Sequence, residues 1–102
     1  MELNGENPLP DALLDTLDRL SAATDDPPWV SVVEGRDQWG GASFIMVGDG
    51  DRRGEDIYIS RDSGAANADT LDLIAAARTS LPLLVAEIRR LRRMLAGIEA
   101  RG

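Results

Sequence analysis

The sequence predicts an α+β fold, and three observations support this prediction. Residues 11–20 are acidic and carry leucines at helical spacing, which is typical of an amphipathic helix. Three short runs rich in β-branched and aromatic residues follow, separated by glycine-containing loops. Helical periodicity then resumes and continues towards the C-terminus. We therefore expect a short N-terminal helix, a three-stranded antiparallel sheet, and a long or proline-broken C-terminal helix that forms an oligomeric coiled coil.

These patterns divide the 102 residues into three segments. Residues 1–10 contain acids and prolines without an apolar repeat, and we expect a flexible N-terminus there. Residues 11–79 should form the α+β domain, since a chain of this length suffices for one small domain. Residues 80–102 should form an amphipathic helix for oligomerisation.

The first helix places Leu13, Leu17 and Leu20 along one side and its acids on the other. Acids in its first turns interact favourably with the positive end of the helix dipole. The turn residues and prolines of segment 24–28 end this helix.

The three predicted strands are residues 29–34, 42–47 and 56–60. Loops 35–41 and 48–54 connect them, and loops of this length between short strands favour an antiparallel meander. Both faces of the first two strands carry apolar residues, so we expect both faces to be covered. Helices of the same chain would cover one face, and a partner subunit would cover the other.

The C-terminal helix should begin after Asn67, a residue that caps helix N-termini well. Pro82 interrupts the pattern, because a proline inside a helix costs about 3 kcal/mol. Either Ser80 caps a new helix with Pro82 in its first turn, or one long helix kinks at this point. We favour the break, because Thr79 and Ser80 are good capping residues.

The last quarter of the chain carries an unbroken heptad repeat, and apolar a and d positions are typical of helices that pair with helices. Glu87 at position g and Arg92 at position e attract each other across a parallel pair, which favours a parallel dimer or a higher homo-oligomer. The alternative is an amphipathic helix packed on the sheet of its own chain. The predicted oligomer interface consists of Leu81, Leu84, Ile88, Leu91, Leu95 and Ile98.

The net charge is −7, but the C-terminal segment is basic and every positive side chain is an arginine. Arg89, Arg90, Arg92 and Arg93 cluster on the predicted helix. They form either a solvated outer face or a contact for an acidic partner or a nucleic-acid backbone. The acidic body disfavours nonspecific nucleic-acid binding, whose affinity increases with the phosphates neutralised. A nucleic-acid-associated regulator is therefore the alternative function.

Two residue types are absent from the sequence, and their absence restricts the catalytic and metal sites that the chain can form. The chain has no cysteine and no histidine, which excludes disulfides, thiol catalysis and histidine-based triads or metal sites. We therefore expect a protein that is not an enzyme and that holds no metal or cofactor. A carboxylate-only enzyme would require acids such as Glu34, Asp37 and Asp56 to converge in one cleft. Loop 48–54 matches neither the phosphate-binding nor the calcium-binding loop pattern.

Arginines and aromatic residues alternate in and around the predicted strands. Guanidinium groups beside aromatic faces suit planar or phosphorylated ligands. The alternative is that Trp29 and Tyr58 fill a small core while the loop arginines are solvated. The predicted ligand-binding residues are Arg36, Trp39, Arg53 and Arg61.

The sequence also bears on localisation. No run approaches the roughly 18 apolar residues that a membrane helix requires. The N-terminus has acids and prolines where a signal peptide has basic and then apolar residues. We therefore expect a cytoplasmic protein.

Two stretches of the chain resemble small phage and prophage proteins of actinobacteria, a group similar to the Ead-type accessory proteins of tailed phages. The resemblance covers most of residues 17–95, with Asp26-Pro27 in place of a common Gly-Pro and Leu73 in place of a common Phe. The residues that carry it are Ser21-Ala22-Ala23-Thr24 and Pro27-Pro28-Trp29-Val30, then residues 67–78, Leu81-Pro82-Leu83-Leu84 and Glu87.

The resemblance indicates the biological setting of the protein more than it indicates a chemical activity. It implies a non-enzymatic, phage-type accessory protein of the host cytoplasm, and it supplies no catalytic residue. Such a protein would bind a host factor or a small signalling molecule. It would counteract host defence, for example by sequestering a nucleotide signal between subunits.

Overall fold

The computed structural model describes residues 8–101, so most of the predicted flexible segment 1–10 lies outside the described residues. The chain divides into two compact units. We name the residues up to Ala23 together with those from Leu81 onward the helical unit, and Thr24–Ser80 the sheet unit. The elements in chain order are α1 (Asp11–Ala23), β1 (Trp29–Val32), β2 (Phe44–Val47), a 3-10 turn (Gly50–Arg52), β3 (Ser60–Arg61), β4 (Gly64–Ala65) and α2 (Ala68–Arg101).

The α+β class is confirmed, but the predicted third strand pairs with β2 at one point only. Strands β1 and β2 are antiparallel, with Trp29 opposite Val47 and Val32 opposite Phe44. Ile57 then bridges to Ile45 through two backbone bonds of 2.8 and 2.9 Å. After this bridge the chain turns into a separate hairpin, in which β3 pairs with β4. The described residues therefore form two two-stranded sheets, because the backbone beyond Ile57 bonds within its own hairpin.

The core of the sheet unit lies between one face of the β1–β2 hairpin and the first turns of α2. Ile45 and Val47 are fully buried, and their neighbours on β2 point to the opposite face because side chains alternate along a strand. Full burial of each such aliphatic side chain contributes about 1.5–3 kcal/mol. The buried core residues are Ile45, Val47, Ala66, Leu71 and Ala75, and the half-buried residues packed on them are Trp29, Val33, Ile57, Ile59 and Ile74.

Trp29 joins β1 to α2 within the sheet unit. Its backbone amide donates to Thr79 Oγ1 at 3.0 Å, and its indole Nε1 donates to the Asp25 carbonyl at 3.1 Å. The guanidinium carbon of Arg78 lies 5.9 Å from the centre of the indole ring. These contacts confirm that Trp29 has a packing role, as the more conservative interpretation of the sequence held. They also satisfy the backbone amide of Trp29 at the start of β1.

Helix α2 is continuous through Pro82, so the predicted break is wrong. Asn67 does cap the helix, since its Oδ1 accepts a bond of 2.9 Å from the Thr70 amide. Pro82 has no amide hydrogen to donate to the carbonyl four residues earlier, which removes one helical bond. Burial on both sides of the proline offsets this loss, because Leu71 and Val85 are each almost fully buried.

The helical unit is an antiparallel pair formed by α1 and the C-terminal part of α2. Asp11 at the start of α1 bonds to Arg92, and Asp18 two turns later bonds to Arg89, so the helices run in opposite directions. Leu14 of α1 and Val85 of α2 are the buried apolar residues of this unit among those described. Within the described residues, neither helix has the length and apolar character required to cross a membrane.

Candidate functional site

A row of exposed apolar residues follows the heptad repeat on α2. We name Leu84, Leu91, Leu95 and Ile98 the α2 stripe. Their exposed fractions range from 50% for Leu91 to 63% for Ile98. Four large aliphatic side chains at heptad spacing that are half or more exposed are typical of an interaction surface. The structure places all six predicted interface residues on one helix, but whether they form an interface stays a prediction.

The other two predicted interface residues, Leu81 and Ile88, are half-buried. At roughly 100° per residue, both lie closer on the helix to the buried Val85 than the α2 stripe does. Val85 belongs to the side on which α1 packs, as the ion pairs from Arg89 and Arg92 show. Part of the heptad row thus lies towards the side of α2 that faces α1, a helix that the heptad pattern does not predict as its partner.

The arginine cluster is largely occupied by acids of the same unit. Arg89 bonds to Asp18 and, at 2.6 Å, to Asp15. Arg92 donates at 2.8 Å to both Asp11 Oδ1 and the Leu9 carbonyl. The sequence did contain the signal, because acids at 11, 15 and 18 recur at helical spacing and match the arginines of α2.

The predicted interchain pair between Glu87 and Arg92 has competing partners inside the chain. Arg90 bonds to Glu87 and holds the pKa of that carboxyl below its ordinary value. Arg92 bonds to Asp11. An interchain bond would have to replace both contacts, so this pair no longer favours parallel chains.

Arg36, a predicted ligand-binding residue, is held by two carboxylates. Its guanidinium binds Asp72 in a bidentate manner, with Nη1 2.9 Å from Oδ2 and Nη2 3.0 Å from Oδ1. Nε and Nη2 also donate to Asp37 Oδ2, at 3.0 and 2.9 Å. The Ser31 hydroxyl donates to the same Asp72 carboxylate. A phosphorylated ligand would have to displace both acids from Arg36.

The Arg36 cluster shifts the pKa values of its acids in the expected direction. Hydrogen bonds from Arg36, then from Ser31, lower the pKa of Asp72 from 3.8 to about 2. The bond from Arg36, followed by one from the Val33 amide, lowers the pKa of Asp37. Neither Asp72 nor Ser31 was a predicted functional residue. Local sequence patterns do not reveal their role, because Asp72 lies 36 residues after Arg36 and meets it only in the folded chain.

The same cluster fixes the loop that carries Trp39. The amides of Arg36, Asp37 and Gln38 all donate to the Val33 carbonyl, and the Gly35 amide donates to the Gln38 carbonyl at 2.7 Å. The Gln38 side chain donates to the Ala42 carbonyl at 2.9 Å. Trp39 follows this bonded turn and is 90% exposed. A large aromatic side chain on a braced loop is a typical anchor for a protein partner.

The other two predicted ligand-binding residues lie apart in the sheet unit. Arg53 donates to Asp56 at 2.8 Å and lines a shallow cavity of about 380 Å³ together with Asp25, Asp26, Asp51 and Arg52. Arg61 is exposed on β3, and its side chain forms no ion pair within residues 8–101. Neither Arg36, Trp39 nor Arg61 lines that cavity. The described contacts thus do not gather the four residues into one pocket.

The outer face of the β1–β2 hairpin is apolar and partly open. Val30 faces Met46 across the strands, and the Phe44 ring lies 5.5 Å from the Tyr58 ring. Tyr58 is 60% exposed, so the interpretation that it fills the core is wrong. Coverage of this face by a partner subunit stays a prediction.

The three acids considered for a carboxylate-only enzyme serve separate contacts. Asp37 bonds to Arg36, and Asp56 bonds to Arg53. Glu34 is exposed, and its backbone amide donates to Ser43 Oγ at 3.0 Å. Across residues 8–101, no group of three or more acids is arranged to hold a metal ion.

Comparisons with protein-family models, with curated proteins and with solved structures find no match to this chain.

Proposed function

We propose that this chain is a non-enzymatic binding protein that self-associates through the α2 stripe. The exposure of Leu84, Leu91, Leu95 and Ile98 at heptad spacing carries the proposal. Side chains of this size gain free energy when they leave water, and the heptad spacing suits a second helix better than an irregular surface. The ion pairs of Arg89 and Arg92 lie on another side of α2, so they leave the α2 stripe free to pack.

Changing the α2 stripe tests this proposal. Leu91→Glu with Leu95→Glu should convert the oligomer to monomers, because each acid would be buried without a partner. The matched control is Ala86→Glu with Ala100→Glu. Both alanines are exposed, and both are at heptad position f, opposite the a and d positions. Light scattering coupled to size-exclusion chromatography gives the masses, and an oligomer that survives the leucine changes would overturn the proposal.

A second candidate function is supported by Trp39. We propose that its loop binds a partner protein, such as a host factor. The occupied guanidinium of Arg36 favours a protein over the nucleotide signal considered for Arg36, Trp39, Arg53 and Arg61. A phage accessory role in the host cytoplasm rests on the sequence resemblance alone. A nucleic-acid regulator is less favoured, because Arg89, Arg90 and Arg92 already bond to acids of the same chain.

Native mass spectrometry of protein purified from its host tests the Trp39 proposal. Trp39→Ala should lose a co-purifying partner while the subunit number stays the same. Leu73→Ala is the control, because Leu73 is also highly exposed in the sheet unit but lies on α2. Retention of the same partner by Trp39→Ala would contradict the proposal, and so would equal loss in both variants.

A further inference from the structure

We propose that α1 and α2 contribute jointly to one apolar face, and that this face packs against the same face of a second copy. The inference rests on the proposed self-association and extends it to α1. We name Leu13, Leu17 and Leu20 the α1 row. Leu20 is 50% exposed, while Leu13 and Leu17 are half-buried.

The ion pairs determine which side of each helix the apolar rows occupy. They place Asp11, Asp15 and Asp18 of α1 on the same side of the helical unit as Arg89 and Arg92. Within the described part of the helical unit, each helix also buries one apolar residue, Leu14 in α1 and Val85 in α2. The helical unit therefore has an ion-paired side and, opposite to it, a second side.

The α1 row and the α2 stripe both lie on this second side. Leu20 is rotated by about 120° from Leu14, away from the acids of α1. Leu91 is rotated by about 120° from Val85 in the same sense, away from Arg89. Because the helices are antiparallel, equal rotations point to one common face. The α1 row and the α2 stripe are thus continuous.

The size of this face indicates that α1 is needed. The C-terminal part of α2 is roughly 30 Å long and 10 Å wide, which gives a face of roughly 300 Å². The 13 residues of α1 add roughly 200 Å². Two copies would bury roughly 600 Å² through α2 alone and roughly 1,000 Å² through both helices. A specific interface requires about 1,000 Å² in total.

A second copy is the occupant that the charges and the periodicity favour. A self-complementary contact needs a face without net charge. The ion pairs of Arg89 and Arg92 lie on the opposite side, and Glu87, which lies beside the α2 stripe, is paired with Arg90. A membrane surface is disfavoured, because membrane-surface helices carry unpaired basic residues on their polar face. In this unit three of the arginines, Arg89, Arg90 and Arg92, are bonded to acids of the same chain. The heptad spacing also requires a helix on the other side.

Substitution on α1 tests the inference separately from the proposed function. Leu20→Glu should raise the dissociation constant of the oligomer at least about tenfold in sedimentation equilibrium. Ala22→Glu is the control, because Ala22 is exposed and lies on the ion-paired side of α1, about 160° around the helix from Leu20. If Leu91→Glu with Leu95→Glu gives monomers while Leu20→Glu associates like the native protein, the joint face is wrong and the proposed function stands. If all these variants remain oligomeric, both are wrong.

A contact measurement on the unmodified chain avoids any question of folding. In a mixture of isotope-labelled and unlabelled copies, intermolecular nuclear Overhauser effects should connect Leu13 or Leu20 methyl groups with Leu91 or Leu95 of the other copy. Oligomers that show such contacts from α2 only would overturn the inference. So would a complex in which a foreign helical protein occupies both rows.

Discussion

Gly48 illustrates a constraint set by a single residue. It follows β2 with a φ of +69°, and an added Cβ would lie 2.1 Å from the Arg52 carbonyl oxygen. Gly48→Ala should therefore destabilise the sheet unit by about 1–3 kcal/mol, through backbone strain and the displacement of Arg52. Urea unfolding followed by circular dichroism measures the loss.

Gly50→Ala separates the two causes. Gly50 also has a positive φ, of +52°, but a Cβ there meets no heavy atom within 4 Å. This control should show the backbone strain without the collision. Equal losses for the two variants would show that the approach of Arg52 to Gly48 does not matter.

Arg36 and Trp39 show why the chemistry of a residue type does not reveal its role. Both were predicted to bind a ligand, because guanidinium and aromatic groups suit the same ligands. In the fold, the guanidinium of Arg36 forms ion pairs with Asp37 and Asp72, whereas the side chain of Trp39 is exposed. The difference arises from Asp72, whose distance of 36 residues along the chain hides it from local patterns.

At the scale of elements, local sequence patterns predicted where the helices lie, but they did not predict which parts of the chain pack against or bond to each other. The periodicity of α1 and α2 and the cap at Asn67 all appear in the fold. The predicted break at Pro82 considers only the one bond that the proline removes, but burial of Leu71 and Val85 on either side outweighs that cost. Helix continuity depended on tertiary packing, which the sequence pattern does not report.

The sheet and the arginine cluster also depend on tertiary contacts that local sequence patterns do not report. Ile57 and Ile59 have strand-forming side chains, yet the Ile59 carbonyl accepts from Ala66 in the second hairpin, and β2 gains only the bridge at Ile57. The sequence predicts that Arg89 faces solvent or a partner, but Asp15 and Asp18 on the first helix complete its bonds. In each case the residue type was correct and its partner was set by tertiary structure.

At the scale of the whole molecule, arginine–carboxylate pairs determine how an acidic protein responds to acid. The net charge is −7, and arginines lower the pKa of Asp37, Asp72 and Glu87. A carboxyl whose pKa is lower in the folded chain binds fewer protons there than in the unfolded chain. Its stabilising contribution is therefore complete above the unfolded pKa, and it is lost as the pH falls through the folded pKa.

For Asp72 this loss should occur between pH 3.8 and about 2. Arg36→Gln should lower the urea midpoint near neutral pH, and its difference from the native chain should shrink as the pH falls through about 2, because Asp72 then becomes protonated in both proteins. The effect is moderated by solvent, since both side chains are more than a third exposed.

Arg61→Gln is the control, because the Arg61 side chain forms no ion pair in the described part of the chain. The difference in urea midpoint between Arg36→Gln and the native chain could instead stay constant from neutral pH to pH 2. That result would show that the charge on Asp72 does not cause the difference. An Asp72 carboxyl that titrates at an ordinary value in the native chain, followed by nuclear magnetic resonance, would contradict the prediction directly.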